Sequence, residues 1–245
     1  MSNKHKNNNG LSVVIPIFNE EKNIDGLFKK MLECKQEANF PIQFILVDGY
    51  STDNSVQLIN DNCALNKSLD IDFIQMDSKG GYGKDIVSGL AHAIYETMAW
   101  THADLQTDLC DLIAGYNIFK NSDQKVVLKG KRKGRGILDR MFTFGMQIYS
   151  LIKLKLYLDD INAQPKLFTR DFYNNHLLVD PPKDFSLDLY FLIQAKFNDY
   201  KIKTFNVFFY KRMLGEAKGG GGSWKNRIQL IKRTRQYIIS ISKRI

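Results

Sequence analysis

Residues 11–32 read LSVVIPIFNEEKNIDGLFKKML. The first seven form a short run rich in apolar, β-branched residues; FNEEK is polar, and Ile24, Leu27, Phe28, Met31 and Leu32 then recur at helical spacing. That periodicity dictates strand, loop, amphipathic helix. The pattern repeats downstream, with residues 42–47 as a buried strand, a polar turn DGYSTDNS and a helix through Val56, Leu58 and Ile59. Two β-α units in succession require a parallel sheet with right-handed crossovers. A third strand over 70–76 runs into the Gly-rich SKGGYGKD, and a helix is expected from about 86 to 100. The first hundred or so residues thus read as a Rossmann-like half-sheet, whose ligands bind beyond the carboxyl ends of the strands. The segments expected there are 18–21, 48–55, 78–84 and 101–108, and all four are polar.

After residue 120 the pattern changes to a strand over 125–129, a basic knot KGKRKGR, a long apolar helix, and strands and turns around INAQPKLF. A helix near 184–197 and a strand over 201–209 follow. With no internal repeat and no linker, this half is read as completing the same domain on the acceptor side. The expected division is a disordered N-terminus over 1–10, a main domain over 11–218, and a Gly-rich flap with a basic amphipathic helix over 219–245.

A chain of 245 residues that is 44% hydrophobic, with 16 Phe and 11 Tyr, carries enough apolar surface for a packed core. Lys and Arg outnumber Asp and Glu by 35 to 26, and the net charge of +9 favours anionic partners. No nucleic-acid-binding pattern accompanies that charge, so nucleic acid is not expected as a partner. Cys34, Cys63 and Cys110 are scattered and odd in number, which points to a reducing, cytoplasmic setting without a structural disulfide. The polar N-terminus does not have the pattern of a secretory signal. The apolar stretch 137–158 is interrupted by Asp139, Arg140, Lys153 and Lys155, which argues against a membrane span and leaves attachment to a membrane surface open.

The loop THADLQTD sets His102, Asp104, Gln106 and Asp108 on alternate residues. In an extended segment these donors would converge on a divalent cation, which would bridge a diphosphate. The competing reading is a polar turn with Asp108 capping the next helix. Gly80, Gly81 and Gly83 with Lys84 lack the Gly-Lys-Ser/Thr ending of a P-loop, so Lys84 is assigned either to solvent or to a phosphate.

In this order and spacing, VVIPIFNEEKNI, VDGYSTDNS, GGYGKD and HADLQ resemble glycosyltransferase family 2, and within it the dolichol- or polyprenol-phosphate sugar transferases. The later KGKRKGR, DINAQPKLF and RMLGEAK also fall where that branch has motifs, so the resemblance spans roughly 11–220. It implies an α/β fold of the GT-A type, a nucleotide-sugar donor, a divalent metal and inverting transfer to an acceptor such as a polyprenyl phosphate or a cell-surface glycan precursor. It assigns Pro16, Phe18, Asn19, Glu20 and Asp48 to the donor nucleotide, Asp104 and Gln106 to metal and diphosphate, and Arg132 to phosphate. Arg suits that place, because its planar fork matches phosphate oxygens.

Three departures from the family pattern stand out. VDDGS is replaced by Asp48-Gly49-Tyr50, removing one base or ribose contact. DADLQ begins with His102, which suits Mn²⁺ better than Mg²⁺. The acceptor-side Gly is replaced by Gln164-Pro165. A nucleotide-sugar-binding or scaffold protein that has lost catalysis is therefore the alternative to an active enzyme. Asp188 is either a general base for an acceptor hydroxyl or a first-turn carboxylate favoured by the helix dipole. Asp160 and Asn162 divide in the same way between shaping the site and turn chemistry. Gly219 to Gly222, beside Arg212, Glu216 and Lys218, read as a flap or a linker. In SWKNRIQLIKRTRQYIISISKRI, Trp224, Ile228, Ile231, Ile238 and Ile241 lie near one helical face amid basic residues. That face either meets an anionic membrane, on the cytosolic side, or packs on the domain.

Overall fold

Strand β1 (Asn7–Ile17) alternates its side chains between two interiors, with Val14 packing into one apolar cluster and Leu11, Val13 and Ile15 into the other. A strand buried on both faces must be covered by helices on both sides. The computed structural model describes residues 7–122, 125–134, 136–210 and 224–242. Their elements are, in order, β1, a 3₁₀ turn (Glu21–Asn23), α1 (Ile24–Glu37), β2 (Ile42–Asp48), α2 (Ser55–Leu65), β3 (Asp70–Gln75), α3 (Tyr82–Leu90), β4 (Tyr95–Trp100) and α4 (Asp111–Lys120). These are followed by β5 (Val126–Lys133), α5 (Ile137–Leu154), β6 (Lys166–Thr169), the short α6 (Arg170–Phe172) running into a π turn (Tyr173–Leu177), α7 (Leu187–Phe197), β7 (Lys201–Phe208) and α8 (Trp224–Ser242).

The seven strands form one sheet in the order β3-β2-β1-β4-β6-β5-β7. β3, β2, β1 and β4 pair in parallel; β6 runs antiparallel to both β4 and β5; β5 and β7 are parallel. β6 is thus the one reversed strand, and the carboxyl ends of the other six gather at one edge, joined there by the start of β6. The expected α/β class with a mostly parallel sheet is what the chain adopts.

The structure departs from the sequence reading in three places and decides between two readings in a fourth. β1 begins at Asn7, inside the stretch expected to be disordered. Gly10 admits the Tyr95 ring, which lies 2.4 Å from where a Cβ at Gly10 would sit. The helix expected over 86–100 starts earlier and stops at Leu90, and 95–100 is strand β4. The hydroxyl of Ser12 on β1 accepts from the amides of both Ile94 and Tyr95, at 3.1 Å each, which draws the chain into the sheet. The basic knot is the continuation of β5 out to Lys133. Finally, the apolar face of α8 packs inward, with Ile238 fully buried and Tyr237 and Ile241 against the core.

Cys34 on α1 and Cys110 beside α4 meet with their Sγ atoms 2.9 Å apart, and both are free thiols. Among the described residues no helix is long and apolar enough to cross a membrane.

Candidate active site

The floor of the site is the turn after β1 locked to the turn after β2. Asn19 and Glu20 donate their amides to the hydroxyls of Ser51 and Ser55, both at 2.8 Å, and the Asn19 side chain accepts from the Thr52 amide at 2.7 Å. Asn19 sits at φ 52° and Tyr50 at φ 74°, left-handed conformations that these cross-bonds hold in place. Glu20 is buried and accepts from the Asn23 amide group at 2.5 Å. Asp48 ends β2; its Oδ2 accepts from the Ser51 amide at 3.1 Å, and its Oδ1 has no partner among the described residues. The Phe18 ring carries the Lys79 ammonium 4.4 Å from its centroid. Pro16 is the last residue but one of β1, paired with Val47 of β2.

The Gly-rich segment packs beneath the loop 182–184. A Cβ on Gly83 would stand 2.2 Å from the Pro182 carbonyl oxygen and 2.8 Å from that of Asp184, so only glycine fits there. The amides of Gly83 and Lys84 both donate to the Lys183 carbonyl, at 2.9 and 3.2 Å. The stem of Lys84 folds over Gly80. Asp85, in the first turn of α3, is buried, and burial pushes its carboxyl up to about 6, with Lys84 lowering it and nearby Asp48 adding to the rise.

The HADLQ loop leaves the end of β4, a strand and not the expected helix. The alternate-residue convergence on one face does not form, because Leu105 turns at φ 55° and Ala103 points into the core. Asp104 accepts from the Gln106 amide at 3.2 Å, while Gln106 exchanges two bonds with Tyr210 beyond β7: its carbonyl accepts from the Tyr210 amide at 2.7 Å and its side chain donates to the Tyr210 carbonyl at 3.2 Å. Asp108 turns away and accepts from the Cys110 amide at 3.0 Å and from Lys30 at 3.3 Å; it belongs to the turn ahead of α4, whose N-cap is Cys110 and not Asp108 as the capping reading has it. The His102 ring lies 5.5 Å from that of Tyr82. Among the described residues no three His, Cys, Asp or Glu side chains form a cluster that would hold a metal alone. Asp104 is the one carboxylate between Thr101 and Thr107, so a cation here would take most of its ligands from a diphosphate, the usual arrangement for Mg²⁺ and Mn²⁺ at phosphates.

On the other side of β4 lies a buried charged network that the sequence did not disclose. Lys166, fully buried, pairs with Asp188, 1% exposed, and also donates to the Ala163 carbonyl at 3.2 Å. Burial pushes the Lys166 ammonium down and Asp188 holds it up. Gln164 donates to Asp188 at 2.9 Å and to the Tyr82 hydroxyl at 3.1 Å. Burial, reinforced by the charges of Asp188 and Asp104, raises the Tyr82 phenol well above its ordinary value. Lys129, opposite Lys166 in the β5–β6 ladder, is lowered to about 8 by burial, and its ammonium donates to the carbonyls of Asp160 and Gly130 at 3.0 and 3.2 Å.

Arg132 reaches Asp160 with its backbone amide at 2.9 Å and with its guanidinium at 3.0 and 3.2 Å from Nε. Burial alone would raise the Asp160 carboxyl; Arg132 overrides it and brings it down to about 2. The phosphate role given to Arg132 therefore has to be shared with this bidentate pair. Arg212, Lys218 and the glycines 219–222 lie outside the described residues.

A sheet of this order, with the nucleotide-contact candidates at its carboxyl edge, defines a GT-A type α/β domain. Solved structures agree. A mannosyltransferase from Pyrobaculum calidifontis, in complex with GDP-Man and Mn²⁺, superposes with a TM-score of 0.67 at 16% identity, covering 95% of this chain and 64% of that one. The glucosyl-3-phosphoglycerate synthase of Mycobacterium tuberculosis with UDP gives 0.70 at 14% identity, over 96% and 80%. Residues 12–143, more than half of the 245, match the description of glycosyl transferase family 2, and the chain belongs to that family. An undecaprenyl-phosphate 4-deoxy-4-formamido-L-arabinose transferase of Pectobacterium carotovorum subsp. carotovorum is 30% identical over 96 residues, 39% of this chain and 29% of that protein. The match thus spans less than a third of that relative's length.

Proposed function

We propose that the chain is an inverting glycosyltransferase that moves a sugar from a nucleoside diphosphate to a polyprenyl phosphate at the cytosolic surface of a membrane. The observation that carries the reading is the cross-bonded floor, where Asn19, Glu20 and Asp48 are fixed at the strand edge beside the loop bearing Asp104. In it, Asp48 receives the nucleoside and Asp104, with Gln106 and His102 beside it, would hold a divalent cation together with the diphosphate. When bound, such a cation offsets the charge that builds on the leaving diphosphate. His102 favours Mn²⁺ over Mg²⁺ for that place.

The acceptor chemistry follows from Asp188. A carboxylate sealed against Lys166 and Gln164 orders the start of α7 and the Gln164 loop and is poorly placed to take up a proton from an acceptor hydroxyl. A lipid phosphate needs no such base, because its oxygen is already anionic at neutral pH and attacks the anomeric carbon directly, expelling the diphosphate from the opposite face.

The route to a lipid is α5. Met141, Phe144, Ile148, Leu151 and Ile152 are exposed at helical spacing along it, and exposed Lys153, Lys155, Lys232, Arg233 and Arg235 flank them on α5, just beyond it and on α8. An apolar stripe edged with cations suits an anionic bilayer. On vesicles of phosphatidylglycerol carrying undecaprenyl phosphate, labelled sugar should pass from a UDP- or GDP-sugar into the lipid fraction. A Phe144→Ser/Ile152→Ser variant should sediment with the vesicles at least ~10-fold less well, since about 0.8 kcal/mol is lost per CH₂ no longer buried and two such groups already amount to a tenfold change. Donor binding without transfer to any acceptor would instead favour the non-catalytic alternative, and unchanged sedimentation would remove α5 as the membrane face.

A further inference from the structure

Two buried carboxyls meet at Gly49. Asp48 is 3% exposed and Asp85 4%, and the Oδ1 of each has no partner among the described residues. A Cβ built on Gly49 would lie 2.5 Å from Asp85 Oδ2 and 3.2 Å from its Cγ. The Asp85 carboxyl therefore occupies the space that a side chain at position 49 would enter, which is the position where the family pattern carries its second Asp. We propose that Asp85 supplies from α3 the carboxyl that Gly49 lacks, and that Asp85 and Asp48 together accept hydrogen bonds from the N–H or O–H groups of the donor's nucleoside.

The assignment rests on the donor-site reading above, and its physical basis is the orphaned oxygens. A buried carboxylate oxygen without a donor is costly, and natural structures seldom keep one without a ligand, ion or water to meet it. Here two such carboxyls act on one another, one at the end of β2 and one in the first turn of α3, and the Oδ2 edge of Asp85 fills the room left by the missing side chain of Gly49. Burial works against the charge on Asp85 and the like charge of Asp48 adds to it, and Lys84 offsets only part of the whole. A nucleoside supplies what both lack, either the ring N–H groups of its base or the hydroxyls of its ribose.

The test is calorimetric titration of the full chain with UDP, GDP and their 2′-deoxy forms in Mn²⁺, with inorganic pyrophosphate in Mn²⁺ as the phosphate-only probe. Asp85→Ala and the near-isosteric Asp85→Asn should weaken the preferred nucleotide ~10-fold, the value of one hydrogen bond to a charged group, with pyrophosphate unaffected and melting temperature unchanged or higher. Gly49→Asp combined with Asp85→Ala should recover most of the loss. If the 2′-deoxy nucleotide also loses ~10-fold when Asp85 is replaced, the contact is to the base or the 3′-hydroxyl; if it is already weak in wild type and indifferent to the substitution, the contact is to the 2′-hydroxyl. Wild-type nucleotide affinity in both Asp85 variants would overturn the assignment, as would equal losses for nucleotide and pyrophosphate or a fall in melting temperature, which mark a merely structural residue. A wild-type chain that binds none of these probes would remove the donor-site reading and this assignment with it.

Discussion

Replacing Asp104 by alanine should lower sugar transfer by about a thousandfold or more, the scale associated with losing a group that stabilises charge developing in the transition state. The loop from Thr101 to Thr107 has no second carboxylate to substitute for it. The fold should survive, because the bond that its side chain accepts from the Gln106 amide, at 3.2 Å, is a half-buried turn contact of about 1 kcal/mol. Steady-state release of nucleoside diphosphate alongside a thermal melt checks both halves. A folded variant with wild-type turnover would take the cation and the diphosphate away from this loop.

The second large effect is on stability. Lys166→Met should cost about 3–5 kcal/mol, because it leaves Asp188 charged, 1% exposed and facing an apolar side chain. Asp188 has no easy escape: its Oδ2 is already without a partner among the described residues, and Gln164 alone would remain to bond Oδ1. Adding Asp188→Asn to Lys166→Met should restore most of the loss, since a neutral amide still accepts from Gln164 without a buried charge. Urea unfolding of the two single variants and the double variant measures the coupling. Additive losses would show that the pair contributes nothing as a pair.

The residues readable from sequence are those whose reasons are local. The β-α periodicity placed β1, α1, β2 and β3, and the polar segments after them do line the carboxyl edge of the sheet. What escaped reading depends on partners far along the chain. Nothing near Leu90 announces a strand at Tyr95; the hydroxyl of Ser12, some eighty residues earlier, does that work. Lys129 and Lys166 look like ordinary surface lysines, yet both are buried, one over carbonyls of the 160 loop and the other against Asp188. Asp85 sits inside a Gly-rich stretch that reads as a phosphate turn, and only the fold brings it to Gly49. For α8 the helical pattern was legible but not its direction: both readings fitted the sequence, and Ile238 at the core decides for packing.

The most direct test of a donor site at this strand edge is a titration of the wild-type chain with UDP and GDP in Mn²⁺, in Mg²⁺ and in EDTA, read as a shift in melting temperature. Ligand bound only by the folded state raises that temperature by mass action, by about 2.7 kcal/mol of added stability at a hundredfold excess over Kd. One of the two nucleotides should give a shift that requires a divalent cation and disappears in EDTA and in Asp104→Ala. A chain whose melting temperature no nucleotide moves under any of the three conditions would contradict that expectation, and the strand edge would then be no donor site.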